Sequence, residues 1–152
     1  RNGITDKGGT ALAAYLGDAK ASGGLKSLDL SLNAMRDDTA IGDALATNTG
    51  LITLDLLGHR INSEVASAFV DMFAGNMTLC KLIWKLEVGG YNLKFTEITN
   101  RNTEIDRCVR DAADYTEHLP RELRAEPPTL LPHLAGKHTL QTLRGSVGGE
   151  AG

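Results

Sequence analysis

The chain has 152 residues, about the size of one domain, and 41% of them are apolar, enough to bury a core. Sixteen Lys and Arg against 19 Asp and Glu give a net charge of −3, which excludes a field able to hold nucleic acid or an anionic membrane nonspecifically, and aromatics at 5% argue against a base-stacking platform. No apolar run approaches the roughly 20 residues of a bilayer span, the longest candidates being interrupted by Asp55 and Asp71, so a soluble protein without membrane contact is expected.

Arg1-Asn2-Gly3-Ile4 has the character of the end of a structural repeat whose strand lies upstream. Residue 1 is Arg rather than Met, so the sequence reads as part of a longer chain. After Ile4, Ala11, Leu12, Tyr15 and Leu16 recur at helical spacing, with Asp6 placed as the N-cap. Leu25, Leu28 and Leu30 then form a strand with alternate residues on one side, followed by Asn33 and Met35. A short helix with Ile41, Ala44 and Leu45 follows, for which Asp37 or Asp38 is the expected cap.

The same order returns. Leu51, Leu54 and Leu56 lead to His59 and Ile61, then to a helix with Ser63 as N-cap and Val65, Ala68, Phe69, Met72 and Phe73 on one face. Leu79, Leu82 and Trp84 begin a third copy. The steps are 51 − 25 = 26 and 79 − 51 = 28 residues, and Asn48-Thr49-Gly50 and Asn76-Met77-Thr78 end the helices. One such unit cannot bury its apolar face alone, but stacked units can. Asn2 and Asn33 fit a position where a side chain replaces solvent for backbone groups inside a bend, and His59 departs from it.

From Leu93 onward, Phe95, Ile98, Asn102, Ile105, Val109 and Ala112 make an apolar stripe, with Glu97, Arg101, Glu104, Arg107 and Arg110 on a solvated side. This predicts a helix over about 93–112 that covers the open end of the array. The domain is expected over 1–114. Residues 115–152, with Pro120, Pro127, Pro128 and Pro132 and a Gly-rich end, are expected to form an extended or partly disordered tail in which Leu130, Leu131, Leu134, Leu140 and Leu143 could dock.

The L-x-x-L-x-L-x-x-N-x-Φ pattern resembles the leucine-rich repeats of the ribonuclease-inhibitor type. Over Ser63 to Arg110, the helix, Asn76-Met77-Thr78-Leu79, the last strand, Gly90, Leu93-Lys94 and Asn102-Thr103-Glu104-Ile105-Asp106-Arg107 resemble the last repeat and closing helix of the tropomodulin and leiomodin family. The resemblance implies an α/β leucine-rich repeat solenoid, a right-handed superhelix with a parallel sheet and a C-terminal capping helix. It also implies association with the actin cytoskeleton, in that family by capping the slow-growing filament end. The strand at Leu25 to Leu30 has no preceding copy to pair with, so that end is expected to be sticky and covered by more chain or by a partner.

No residue constellation supports catalysis, and no enzyme activity, cofactor or metal is expected. His118, His133 and His138 lie in the tail and His59 in a turn, without metal-ligand spacing, and read as solvated histidines. Cys80 and Cys108 lack a neighbouring base and read as small buried hydrophobes; with only two cysteines and no signal peptide, a reducing, cytoplasmic setting is expected. Gly8-Gly9 and Gly89-Gly90 precede helices but match no phosphate-binding motif, and Asp37-Asp38 serves better as a cap than as an acid–base pair.

What remains is a surface. The residues alternating with the buried leucines are Ser27, Asp29 and Ser31, then Thr53, Asp55 and Leu57, then Lys81, Ile83 and Lys85. They make a concave strip, acidic at one end and basic at the other, with Leu57 and Ile83 as exposed apolar anchors for a protein partner. The expected role is that of an intracellular scaffold or adaptor in a cytoskeletal or flagellar assembly, with actin as one partner; the alternative is a regulatory or inhibitor module that binds an enzyme or GTPase.

Overall fold

The computed structural model describes residues 2–18, 20, 24–86 and 90–125; expectations for the tail beyond residue 125, and for His133, His138 and Gly89, lie outside the described residues. The chain divides into two compact units, Arg1–Asn102 and Thr103–Gly152. The first is a mixed α/β array of α1 (Asp6–Gly17), β1 (Ser27–Asp29), α2 (Thr39–Leu45), β2 (Thr53–Asp55), α3 (Ser63–Gly75), β3 (Lys81–Ile83) and the first part of α4 (Tyr91–Arg110).

The three strands form a small parallel sheet in the order β1-β2-β3. The register follows the repeat, with Leu28, Leu54 and Leu82 in one row and Ser27, Thr53 and Lys81 in the next. Parallel neighbours require a crossover between strands, and here each crossover contains one helix. Leu30, Leu54, Leu56, Leu51 and Leu79 are buried and meet Leu16, Ile41, Leu45, Phe69 and Phe73 from the helices in one core. Each fully buried leucine contributes roughly 1.5–3 kcal/mol over leaving it in water. Trp84 and Phe95 pack edge to face at 4.3 Å and touch Phe69 and Phe73 in turn, so the first turns of α4 lie against β3 and α3.

Buried asparagines carry the turns from helix to strand. The Asn48 amide donates to the Leu16 carbonyl at the end of α1, while its Oδ1 accepts from Gly50 N and Leu51 N. Asn76 repeats this one unit later: its amide donates to Leu45 O at the end of α2 and to Asn48 O, and its Oδ1 accepts from Thr78 N and Leu79 N. Asn102 donates to Asn76 O and Leu79 O. Asn48 and Asn76 thus pair a helix-end carbonyl that has no intrahelical partner with amides that no strand neighbour reaches, and Asn102, itself inside α4, satisfies two carbonyls of the preceding turn. At the other end of the strands, Asn33 Oδ1 accepts from Asn2 N and Ile4 N while its amide donates to Leu30 O, as the bend reading requires.

Several local expectations are corrected. The N-cap of α3 is Asn62, whose Oδ1 accepts from Val65 N, and not Ser63, which is the first helical residue. Asp6 lies inside α1; its Oδ1 accepts from Arg36 N and Asp37 N and so holds the turn ahead of α2. Asp37 accepts from Thr39 N at the start of α2, and Asp38 is buried for another purpose. Gly8 and Gly9 lie within α1, where a Cβ on Gly9 would come within 2.5 Å of Met35. Tyr15, placed on the apolar face by spacing, is 41% exposed, and Leu12, Ala13 and Leu16 face the core instead.

Along α4, Arg101 is half-buried: its guanidinium donates to Phe73 O in the last turn of α3 and to Asn76 O just beyond it, and burial pushes its pKa down. In the second unit, Ile105, Cys108 and Val109 are buried and Arg107 and Arg110 form exposed ion pairs with Glu104, Asp111 and Asp106. The helix stops before Ala112, which is exposed at φ +53, while Ala113 N and Ala112 N bond to Cys108 O and Val109 O in a Schellman closure. Two short 3₁₀ turns, Thr116–His118 and Arg121–Leu123, follow around buried Leu119.

Asn76→Ala strands Leu45 O and the amides of Thr78 and Leu79 in the interior and is expected to lower unfolding free energy by roughly 2–4 kcal/mol, read from urea denaturation, whereas exposed Thr47→Ala changes it by less than about 0.5 kcal/mol.

Candidate protein-binding face

The parallel register sets Ser27, Thr53 and Lys81 in one outward row and Asp29, Asp55 and Ile83 in the next, on the sheet face opposite the buried leucines. Side chains in such a row are about 4.8 Å apart, the spacing of the strands. Of the nine residues read from the sequence, Ser27, Asp29, Lys81, Leu57 and Lys85 are exposed, and Ser31, Thr53, Asp55 and Ile83 are half-buried.

The acidic end of that surface has a local duty. Asp29 Oδ1 accepts from Ser31 N and Asp55 Oδ1 from Leu57 N, both at 2.8 Å, so each carboxylate closes the turn that leaves its strand. Hydrogen bonds from the Ser31 hydroxyl and amide hold the Asp29 carboxyl below its ordinary value. In the third strand Ile83 takes this position and supplies an apolar surface instead.

Beyond the strands, the turns open into two grooves. One, of about 650 Å³, runs past Leu57, Arg60, Ser63 and Lys85; the other, of about 590 Å³, lies between Met35, Arg36 and Arg60. Gly58 and Arg60 belong to both walls. Leu57 is 46% exposed and Leu32, one turn earlier, 58%. Leu32 N donates to Leu57 O, so the two adjoin. Sequence reasoning missed Leu32, Arg36 and Arg60; the signal was Leu32 itself, which stands where the next repeat has Gly58.

His59 is the clearest departure from expectation. Rather than being solvated, it is 5% exposed beneath the groove, with Nδ1 3.0 Å from both oxygens of buried Asp38 and Nε2 2.7 Å from Leu30 O. A carbonyl only accepts, so Nε2 carries a hydrogen, and the Nδ1–carboxylate contact then holds one further proton between the two groups. Burial raises the Asp38 pKa, the hydrogen bond and charge of His59 oppose the rise, and Asp37 and Asp6 add to it. The pair bridges two repeats, as Asn33 does one repeat earlier.

Among the described residues no group of three His, Cys, Asp or Glu could hold a metal ion, and no helix is long and apolar enough to cross a membrane. Cys80 is half-buried with Sγ 3.4 Å from Thr78 O, and Cys108 is buried.

No family model and no curated protein match this sequence. Among solved structures it is similar to leiomodin-1 actin-binding site 2. That likeness has a TM-score of 0.63 at 25% identity, covering 71% of this chain and 63% of the leiomodin-1 chain. The chain therefore spans less than two thirds of that protein's length. The matching structure lies in the family that the last repeat and closing helix resemble.

His59→Ala leaves the Asp38 carboxyl buried without its partner and is expected to cost roughly 3–5 kcal/mol at neutral pH. A carboxyl whose pKa is raised by the fold binds its proton more tightly folded than unfolded, so the stability tied to it is present in acid and lost as pH rises through the raised value. In the variant Asp38 lacks the opposing imidazole, so its deficit relative to the parent should shrink as pH falls through the raised value and level off below about pH 4, as measured by urea unfolding across pH.

Proposed function

We propose that this chain is a non-catalytic protein-interaction module, a right-handed leucine-rich repeat solenoid of the ribonuclease-inhibitor type, that serves as a scaffold on actin or a related cytoskeletal assembly inside the cell. The observation that carries this reading is the likeness to leiomodin-1 actin-binding site 2, together with a rigid sheet whose outward rows join lysines to apolar side chains. Lys81, Ile83, Lys85 and Leu57 lie toward the β3 side of that surface, where no carboxylate replaces Ile83. Such a mixture of exposed aliphatic groups and cations suits a protein partner better than a small substrate, because specificity comes from many shallow contacts on a preformed surface.

Purified actin should be retained by the immobilised chain, and Lys81→Glu combined with Ile83→Ser, both off the core, should weaken retention about tenfold without changing the urea midpoint. Failure to retain actin, with recovery of one hydrolase or GTPase from a cell extract, would replace this reading with that of a regulatory module.

A further inference from the structure

The two grooves at the strand-exit turns carry a charge pattern that the net charge of −3 conceals. Arg36, Arg60 and Lys85 are exposed around them, and among the described residues none of the three is in an ion pair. The carboxylates nearby are committed to backbone amides: Asp6 to Arg36 N, Asp29 to Ser31 N, Asp37 to Thr39 N and Asp55 to Leu57 N. Among the described residues, no acidic side chain lines either groove. The acids on this edge build turns, and the bases are left facing solvent.

A second observation comes from Leu32. Its φ is +54, in the left-handed region, where a side chain costs roughly 1–2 kcal/mol, and the equivalent position one repeat later is Gly58 at φ +88. The fold's own solution at this position is therefore glycine. Leu32 nevertheless keeps a 58% exposed aliphatic side chain there, its Cδ2 lying 2.6 Å from where a Cβ on Gly58 would be, next to Leu57. Stability does not favour that choice, and a local rule broken toward solvent is expected where a surface is used.

We propose that this turn edge binds an acidic, extended protein segment whose carboxylates meet Arg36, Arg60 and Lys85 and whose apolar side chains rest on Leu32 and Leu57. The distinction from a phosphate or lipid headgroup is the aliphatic pair, which a phosphate alone does not use. Neighbouring repeats are about 4.8 Å apart, so three or four extended residues span the cations. The proposal rests on the reading of a protein-binding module but not on actin as the partner.

The test is calorimetric titration of the full 152-residue chain with a soluble extended peptide of about ten residues in which Glu and Leu take turns at every second position with Ser between, so that both lie on one face. The comparison probes carry Gln for Glu or Ser for Leu, and a further arm uses phosphatidylserine vesicles. The Glu–Leu peptide should bind, with affinity falling as salt rises from about 50 to about 200 mM, and both control peptides should bind at least about tenfold more weakly. Arg36→Glu with Arg60→Glu should weaken binding by about tenfold or more. Leu32→Asn should also weaken it while leaving the urea midpoint unchanged or raised, because Asn tolerates a positive φ. Equal binding of the Gln peptide, full binding by the charge-reversed variant, vesicle binding without peptide binding, or no peptide binding at all would overturn the proposal. Peptide binding without actin retention would leave it standing and sink the actin reading; actin retention without peptide binding would do the reverse.

Discussion

Backbone groups stranded between a helix and the next strand are the constraint on which this array depends. A parallel strand–helix repeat brings helix ends and strand starts into its interior, where four carbonyls per helix end and the first amides of each strand have no regular partner. Leaving each of these unpaired costs roughly 1–3 kcal/mol, comparable with a buried leucine. Asn48 and Asn76 resolve this because an amide side chain donates and accepts at once, reaching back to one repeat while closing its own turn, and Asn102 supplies the donor half for the last turn. Aspartate could do half of that and leucine none.

The same logic is applied with other residues at the opposite end of the strands. Asn33 performs it between the first turns, and His59, with Asp38 behind it, performs it one repeat later on a larger scale. The substitution brings a proton-sharing pair into the interior in exchange for reach: the imidazole spans to Leu30 O while its other nitrogen is held from α2's approach. The turns that carry Leu57, Gly58 and Arg60 are therefore built on a polar interior contact, not on apolar packing alone.

Much of this was legible before any coordinates. The leucine spacing announced strands and helices in the right order because burial of one face imposes a period of two on a strand and near 3.6 on a helix, and both survive in the pattern. The outward rows Ser27, Thr53, Lys81 and Asp29, Asp55, Ile83 follow from the same alternation. What did not follow was any feature set by a partner distant in sequence. Asp38 and His59 are 21 residues apart, and Arg101 reaches carbonyls 25 and 28 residues earlier, so neither has a local signature. Arg101 looked like one more charge on a wet helix face, and Asp6 and Ser63 looked like caps, because composition near a helix start does not say which oxygen faces the amides.

Arg101 also marks where the array stops growing. In the two preceding repeats the asparagine oxygen accepts amides of its own turn into a strand, but the Asn102 oxygen is occupied by the guanidinium of Arg101. A cation at the end of α3 also answers the negative end of that helix. Duplicating a strand–helix unit after residue 102 would thus meet an acceptor already spoken for, whereas a unit repeated between residues 48 and 76 would carry its own asparagine and turn amides and renew the same pairing.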